Sequence, residues 1–230
     1  MDRNEVEAIL TRCKQLVDDG ESPDLKDEGF WRAVRWVKGN PDDVEPFADG
    51  IAVIDRAAFE NGVPVRFPIA SGQRLLWGMS LIGLGLVAIS YYQTEPWNWL
   101  LFGLGTALLL VFTHTLAHLV VGRFMGIQFT HLFFGLGGIP QPGVKIDYSS
   151  YLRTPPQKRA WMHASGAILT KLIPFLLIPA AVAADLATWV VWLLLAAGMA
   201  AIMIDLVWSV KVSDWKKFRR EMAIARSLGD

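Results

Sequence analysis

The feature that most constrains this chain is a set of four long apolar runs between residues 74 and 210. They cover about Arg74 to Tyr92, Trp97 to Val121, Ala160 to Ala184 and Thr188 to Val210. Crossing a bilayer as a helix takes about 20 apolar residues, so each run is of spanning length. Hydrophobic residues make up 53% of the 230-residue chain, too apolar for an ordinary soluble domain of this size. The expectation is an integral membrane protein, in the cell membrane. Residues 1–30 are dense in Asp and Glu, unlike a signal peptide. The single Cys13 excludes an internal disulfide and offers no Cys-based metal site.

The net charge of zero hides a split. Residues 1–70 hold 9 Lys and Arg against 15 Asp and Glu, and residues 71–230 hold 13 against 7. The acidic N-terminal part argues against nucleic acid and against tight docking to anionic lipid. Its plain meaning is a solvated acidic surface.

Within 1–70, "EVEAILTRCKQLV" places Val6, Ile9, Leu10, Cys13, Leu16 and Val17 at helical spacing. "DLKDEGFWRAVRWVKGN" repeats the pattern with Leu25, Phe30, Val34 and Val37, and "DDVEPFADGIAVIDRAAFENG" gives a third helical stretch. A small acidic helical domain, cytosolic, is expected. So small a core is marginal alone, so the domain should lean on the membrane part or on a protein partner. "VPVRFPIASG" reads as the linker into the first span, and residues 211–230 as a basic, helical cytosolic tail.

Lys and Arg set the orientation. The connections at 93–96 and 185–187 contain none, whereas 122–159 and the tail contain eleven between them. Both termini are therefore expected in the cytosol, with Trp97, Trp99, Trp189 and Trp192 at the outer interface. Between the second and third spans, "GIQFTHLFFGLGGIPQPGVKIDYSSYL" has partial alternation, which predicts short strands. Non-helical backbone at membrane depth must be buried in protein or line a wet cavity, as a re-entrant hairpin beside the second span would be. The fold class expected is an all-α polytopic membrane protein of four spans, with a re-entrant strand-like insert and a small N-terminal helical domain.

Ionisable residues inside spans are expensive and each needs a reason. Four occur: His114 and His118 in "VFTHTLAHLVVG", Lys171 and Asp205. The i, i+4 spacing puts both imidazoles on one helix face, able to share one ion. His118 lies five residues from Arg123 and His114 nine, about 7–8 Å and 13–14 Å along a helix. Asp205 lies six residues from Lys211, about 9 Å from the same side. Two imidazoles, a carboxylate and an open fourth position make a zinc site of the catalytic kind. Other readings stay open. The histidines could bond neighbouring helices while Asp205 cancels Lys171, or the group could carry ions or protons.

On the His-x-x-x-His of the second span, the "ASGAILTKLIPF" opening of the third and the Asp late in the fourth, the chain resembles the site-2 protease family. These are zinc metalloproteases that cut within membranes, and the similarity covers about residues 75–215. The resemblance implies that His114, His118 and Asp205 bind zinc. Asp214, in "VSDWKKF", is the runner-up, and Ser213 or Asp214 reads as a helix N-cap. It also implies that the strand insert holds a transmembrane protein segment in extended form by strand addition. The chain departs from the family at one position. The motif is His-Glu-x-x-His, and Thr115 stands where the glutamate acts as general base. A threonine hydroxyl cannot take that proton near neutral pH. His131 and His163 are the nearby residues that could substitute, and Lys171 could stabilise an oxyanion beside zinc. The functions that follow are a zinc metallopeptidase acting feebly on membrane segments, a pseudoprotease that binds segments or partner proteins, and, more remotely, a transporter.

Overall fold

The computed structural model describes residues 1–20, 25–135, 141–208 and 214–229. Residues 136–140 of the insert, and residues 209–213 with Ser213, lie outside the described residues.

Helix α1 (Arg3–Asp18) starts where the Asp2 carboxylate accepts from the Glu5 amide at 2.9 Å. Its buried residues Val6, Leu10, Cys13 and Val17 recur every three to four positions and form a single stripe. That stripe packs with α2 (Phe30–Gly39) and α3 (Val44–Gly62) around Phe30, Val34, Val37, Ile51 and Ile54. Leu152 of a short helix, α6 (Tyr148–Arg153), enters the same core. The N-terminal helices thus share their core with the segment that leads into the third long helix. Buried Asp55 of α3 pairs with Lys145 at 2.5 Å, and burial raises the Asp55 pKa although Lys145 opposes the rise.

Four helices are long and apolar enough to cross a membrane: α4 (Ile69–Ser90), α5 (Trp97–Phe124), α7 (Pro156–Ala183) and α8 (Thr188–Trp208). They coincide with the four runs read from sequence. Gly83 and Gly105 let α4 and α5 approach closely, since a Cβ at either would meet the other's backbone carbonyl at 3.0 Å or less. Helix α7 is central, packing against α5 on one side and α8 on another.

The insert contains β2 (Phe129–Phe134) and β3 (Pro142–Ile146), paired antiparallel. The stretch read as a linker supplies a third strand, β1 (Arg66–Pro68), so the sheet order is β1-β2-β3. Pro68 ends an edge strand, where a missing amide costs no ladder bond. Leu132 of β2 lies over Gly72 of α4, which clamps the sheet to the first long helix.

The tail read as a basic extension is helix α9 (Asp214–Leu228), and it folds back on α7. Trp215 and Phe218 stack edge-on, as do Phe218 and Trp161 of α7, and Ala225 is fully buried. Trp215, Phe218, Met222 and Ala225 are spaced three to four apart, so the basic composition concealed an apolar stripe.

Candidate metal centre

His114 and His118 sit one turn apart on α5 with their rings at 85° and centroids 4.8 Å apart. Their partners assign the tautomers. His118 Nδ1 lies 2.8 Å from the Met162 carbonyl, an obligate acceptor, so Nδ1 donates. Thr170 Oγ1 donates to the Gly166 carbonyl at 2.9 Å, which leaves it to accept from His114 Nδ1, also at 2.9 Å. Both bonds come from α7, and both turn Nε2 the same way. In its neutral form, each imidazole so held presents a bare Nε2 lone pair.

The third atom at this point is Asp214 Oδ2, from the first residue of α9. It is 3.4 Å from His114 Nε2 and 3.2 Å from His118 Nε2, and the two nitrogens are 3.3 Å apart. A tetrahedral ion with bonds of about 2.0–2.1 Å has ligand edges of about 3.3–3.4 Å. The three atoms therefore outline one face of such a tetrahedron, with its fourth corner free. Three acceptors this close repel one another unless a cation or proton lies among them. Burial opposes ionisation of Asp214; where no cation lies in the triangle, a proton on the imidazole Nε2 atoms hydrogen-bonds the carboxylate and, with Lys217 at 3.2 Å, holds it well below the usual range.

Close packing fixes the His118 ring. A Cβ on Gly166 of α7 would lie 2.8 Å from two of its ring carbons and closer still to Nε2. Only a residue without a side chain lets α7 run so near the imidazole. Ser165 hydroxyl, donating to the Met162 carbonyl at 2.7 Å, completes this surround.

Asp205 is placed differently from its expected role as third ligand. It forms an ion pair with Lys171 of α7 and accepts from Trp215 Nε1 at 2.7 Å. Similar depth along two helices does not bring them together. Helix α8 packs on the α7 face that carries Lys171, and that charge takes the carboxylate. Lys171 also donates to the Ala167 carbonyl at 2.9 Å, so it is engaged with Asp205 rather than aimed at the histidines. Asp214, read as a helix-start residue, reaches the histidines because α9 folds back on α7.

Compared with family profiles, curated proteins and solved structures, the chain matches none.

Thr115 is 1% exposed, and its hydroxyl donates to the Pro142 carbonyl at 2.6 Å. The position next to His114 thus ties α5 to the first residue of β3. His131 lies in β2, stacked at 5.8 Å on Phe59 and 3.9 Å from Glu60. His163 Nε2 and the buried Tyr151 hydroxyl share a hydrogen bond of 2.8 Å. Neither imidazole is among the groups at the triangle.

Proposed function

We propose that the chain is a membrane-embedded, zinc-binding protein of metallopeptidase type, in which His114, His118 and Asp214 hold the ion. The observation that carries this reading is the triangle of lone pairs with edges of 3.2–3.4 Å. Its hydrogen-bonded outer groups, the Met162 carbonyl and Thr170, are the kind that orient metal-binding histidines. Bound zinc would polarise a carbonyl and lower the pKa of a water at the open corner. The protein's own groups would align the imidazoles and supply the Asp214 charge.

Two features support a membrane protein segment as the group acted upon. The β3 edge away from β2 pairs with no strand among the described residues, so it offers backbone groups to an extended segment. An apolar cavity of about 560 Å³ lies between α4, α5 and α7, lined by Trp77, Leu116, Val120, Trp161 and Leu172.

A second reading, a pseudoprotease that binds segments without cutting them, is favoured by Thr115. Its hydroxyl is committed to Pro142, and general acid–base help worth about 10²–10⁴-fold is missing at that position. The test is zinc content of the detergent-purified chain beside a His114→Ala, His118→Ala double variant, followed by cleavage of a membrane-segment reporter. We expect zinc in the parent alone. Cleavage by the parent, lost in the double variant, identifies a peptidase; zinc without cleavage identifies the binding protein. No zinc in the parent at saturating supply overturns both readings.

A further inference from the structure

Of the three residues at the triangle, two share α5 and are fixed by α7, whereas Asp214 leads α9. Its place against the histidines is therefore set by where α9 rests. Seven residues later on the same helix stands Glu221, about 10.5 Å along the axis. A spacing of seven returns to the same face to within about 20°. Both carboxylates thus point from one side of α9 into the body of the fold.

Glu221 is fully buried, and a buried carboxylate demands partners. Two cations supply them from different parts of the chain. Lys38 of α2 donates from Nζ to Oε1 at 2.6 Å, and Arg159 of α7 lies with Nε 2.9 Å from Oε2. These cations are themselves 5% and 2% exposed. Tyr151 of α6 lies against both, its ring centroid 4.6 Å from the Lys38 ammonium and 5.4 Å from the Arg159 guanidinium. Close-packed groups of this kind do not shift cheaply. Along α7 the contacts run in reverse order, Phe218 meeting Trp161 and then Glu221 meeting Arg159, so α9 lies antiparallel on α7. Ring stacking is weakly directional and lets a helix slide by fractions of an ångström. A carboxylate gripped from two sides does not.

We propose that Glu221 is a positioning residue for the metal centre, and that Lys38 makes the N-terminal helical domain a regulator of its affinity. The inference rests on the zinc reading above. Metal–ligand distances tolerate only about 0.2 Å, so a small slide or pivot of α9 takes Asp214 out of reach. Arg159 fixes α9 to the helix that orients both histidines, and Lys38 fixes it to α2 of the acidic domain. A movement of α2 that draws Lys38 away loosens the third ligand. The coupling is reciprocal, so zinc in the triangle tightens the hold of α9 on that domain.

The experiment compares the detergent-purified full chain with Lys38→Met, Glu221→Asp and, as control, Leu10→Ala in the core of the same domain. Zinc affinity is read by competition with a chromogenic chelator, and site geometry by the visible spectrum of bound cobalt. The unfolding midpoint of the metal-free protein is measured beside them. Lys38→Met leaves Glu221 and Arg159 as a neutral pair, so it should fold. Glu221→Asp keeps the charge and withdraws the carboxylate by one carbon–carbon bond, about 1.5 Å. Each is expected to lower zinc affinity about 10- to 100-fold, as loss of an outer-shell partner does, and to weaken the tetrahedral cobalt bands. Leu10→Ala should lower the midpoint more, through the cavity it leaves, while keeping the parent's cobalt spectrum and a zinc affinity within about threefold. A merely structural role of the ion pair would instead make affinity follow the midpoint across all three. Should Glu221→Asp not fold, Lys38→Met decides alone. Zinc bound by the parent and within about threefold as tightly by Lys38→Met, or an equal loss in Leu10→Ala, overturns this inference and leaves the zinc reading standing. No zinc in the parent overturns both.

Discussion

At the proposed zinc site, Gly166→Ala should separate metal binding from folding. The new Cβ would stand 2.8 Å from two His118 ring carbons, against 3.4 Å or more in ordinary contact, so the ring must retreat by at least 0.6 Å. Metal–ligand bonds tolerate only about 0.2 Å. His118 is then lost from the triangle, and zinc affinity should fall at least about 100-fold, the upper end of what outer-shell changes alone produce. Folding should suffer little. Alanine is favoured over glycine in a helix interior by up to about 1 kcal/mol. Weakening the His118–Met162 hydrogen bond costs about 0.5–1.5 kcal/mol, so the two effects nearly cancel. The assay is zinc competition with a chromogenic chelator, beside the unfolding midpoint of the metal-free protein. Zinc binding by the variant within about threefold of the parent, far less than an outer-shell loss, would show that the His118 ring is not held by this contact. A fall of the metal-free midpoint by about 5 °C or more, equivalent to the roughly 100-fold affinity loss, would instead mark a general folding defect.

Asp214→Ala should remove zinc binding, whereas Asp205→Ala should leave zinc bound and lower stability, because it strands Lys171 and the Trp215 indole N–H; zinc content and unfolding of the two variants decide this. Glu221 of α9 is fully buried and pairs with buried Lys38 and Arg159, so Glu221→Ala strands both cations and should cost about 3–5 kcal/mol in denaturant unfolding. Thr115→Val strands the Pro142 carbonyl and should cost about 1–3 kcal/mol, with faster amide exchange in β3 than elsewhere in the sheet. In acid, Arg153 and Ser149 depress the Asp49 carboxyl to about 2 from its ordinary 3.8. A depressed carboxylate stabilises above its unfolded pKa and loses that contribution as pH falls toward the folded value. The contact of α6 with α3 should therefore weaken between about pH 4 and pH 2, a loss that Asp49→Asn abolishes in an acid titration followed by tryptophan fluorescence.

Local pattern made much of this protein legible. Long apolar runs have few stable outcomes, so the four long helices follow from composition along the chain alone. Helical spacing of Val6, Leu10, Cys13 and Val17 marked the first helix, and alternation marked the two strands of the insert. The i, i+4 spacing put His114 and His118 on one face before any packing was known. These features are set by residues near one another in sequence, whose geometry the backbone period imposes.

The third carboxylate was decided by tertiary structure. Asp205 and Asp214 were both available, and depth along a helix says nothing about which face a neighbour presents. Lys171 claims Asp205 because α8 lies on its side of α7. Asp214 reaches the histidines because Trp215, Phe218 and Ala225 dock α9 on α7. Thr115 likewise looked like an empty place in a motif, while its fold-level role is to hold β3. Gly166 stood in sequence only as part of the stretch opening the third span, and its contact with His118 was not legible there, since a glycine's importance lies in what passes beside it. The buried triad of Lys38, Arg159 and Glu221 joins residues as much as 183 positions apart, a separation no local pattern encodes. Sequence by itself determined which elements form and which residues could bind an ion, because those depend on local period and solvent preference. Tertiary packing alone decided which charges meet, because that depends on how rigid helices dock.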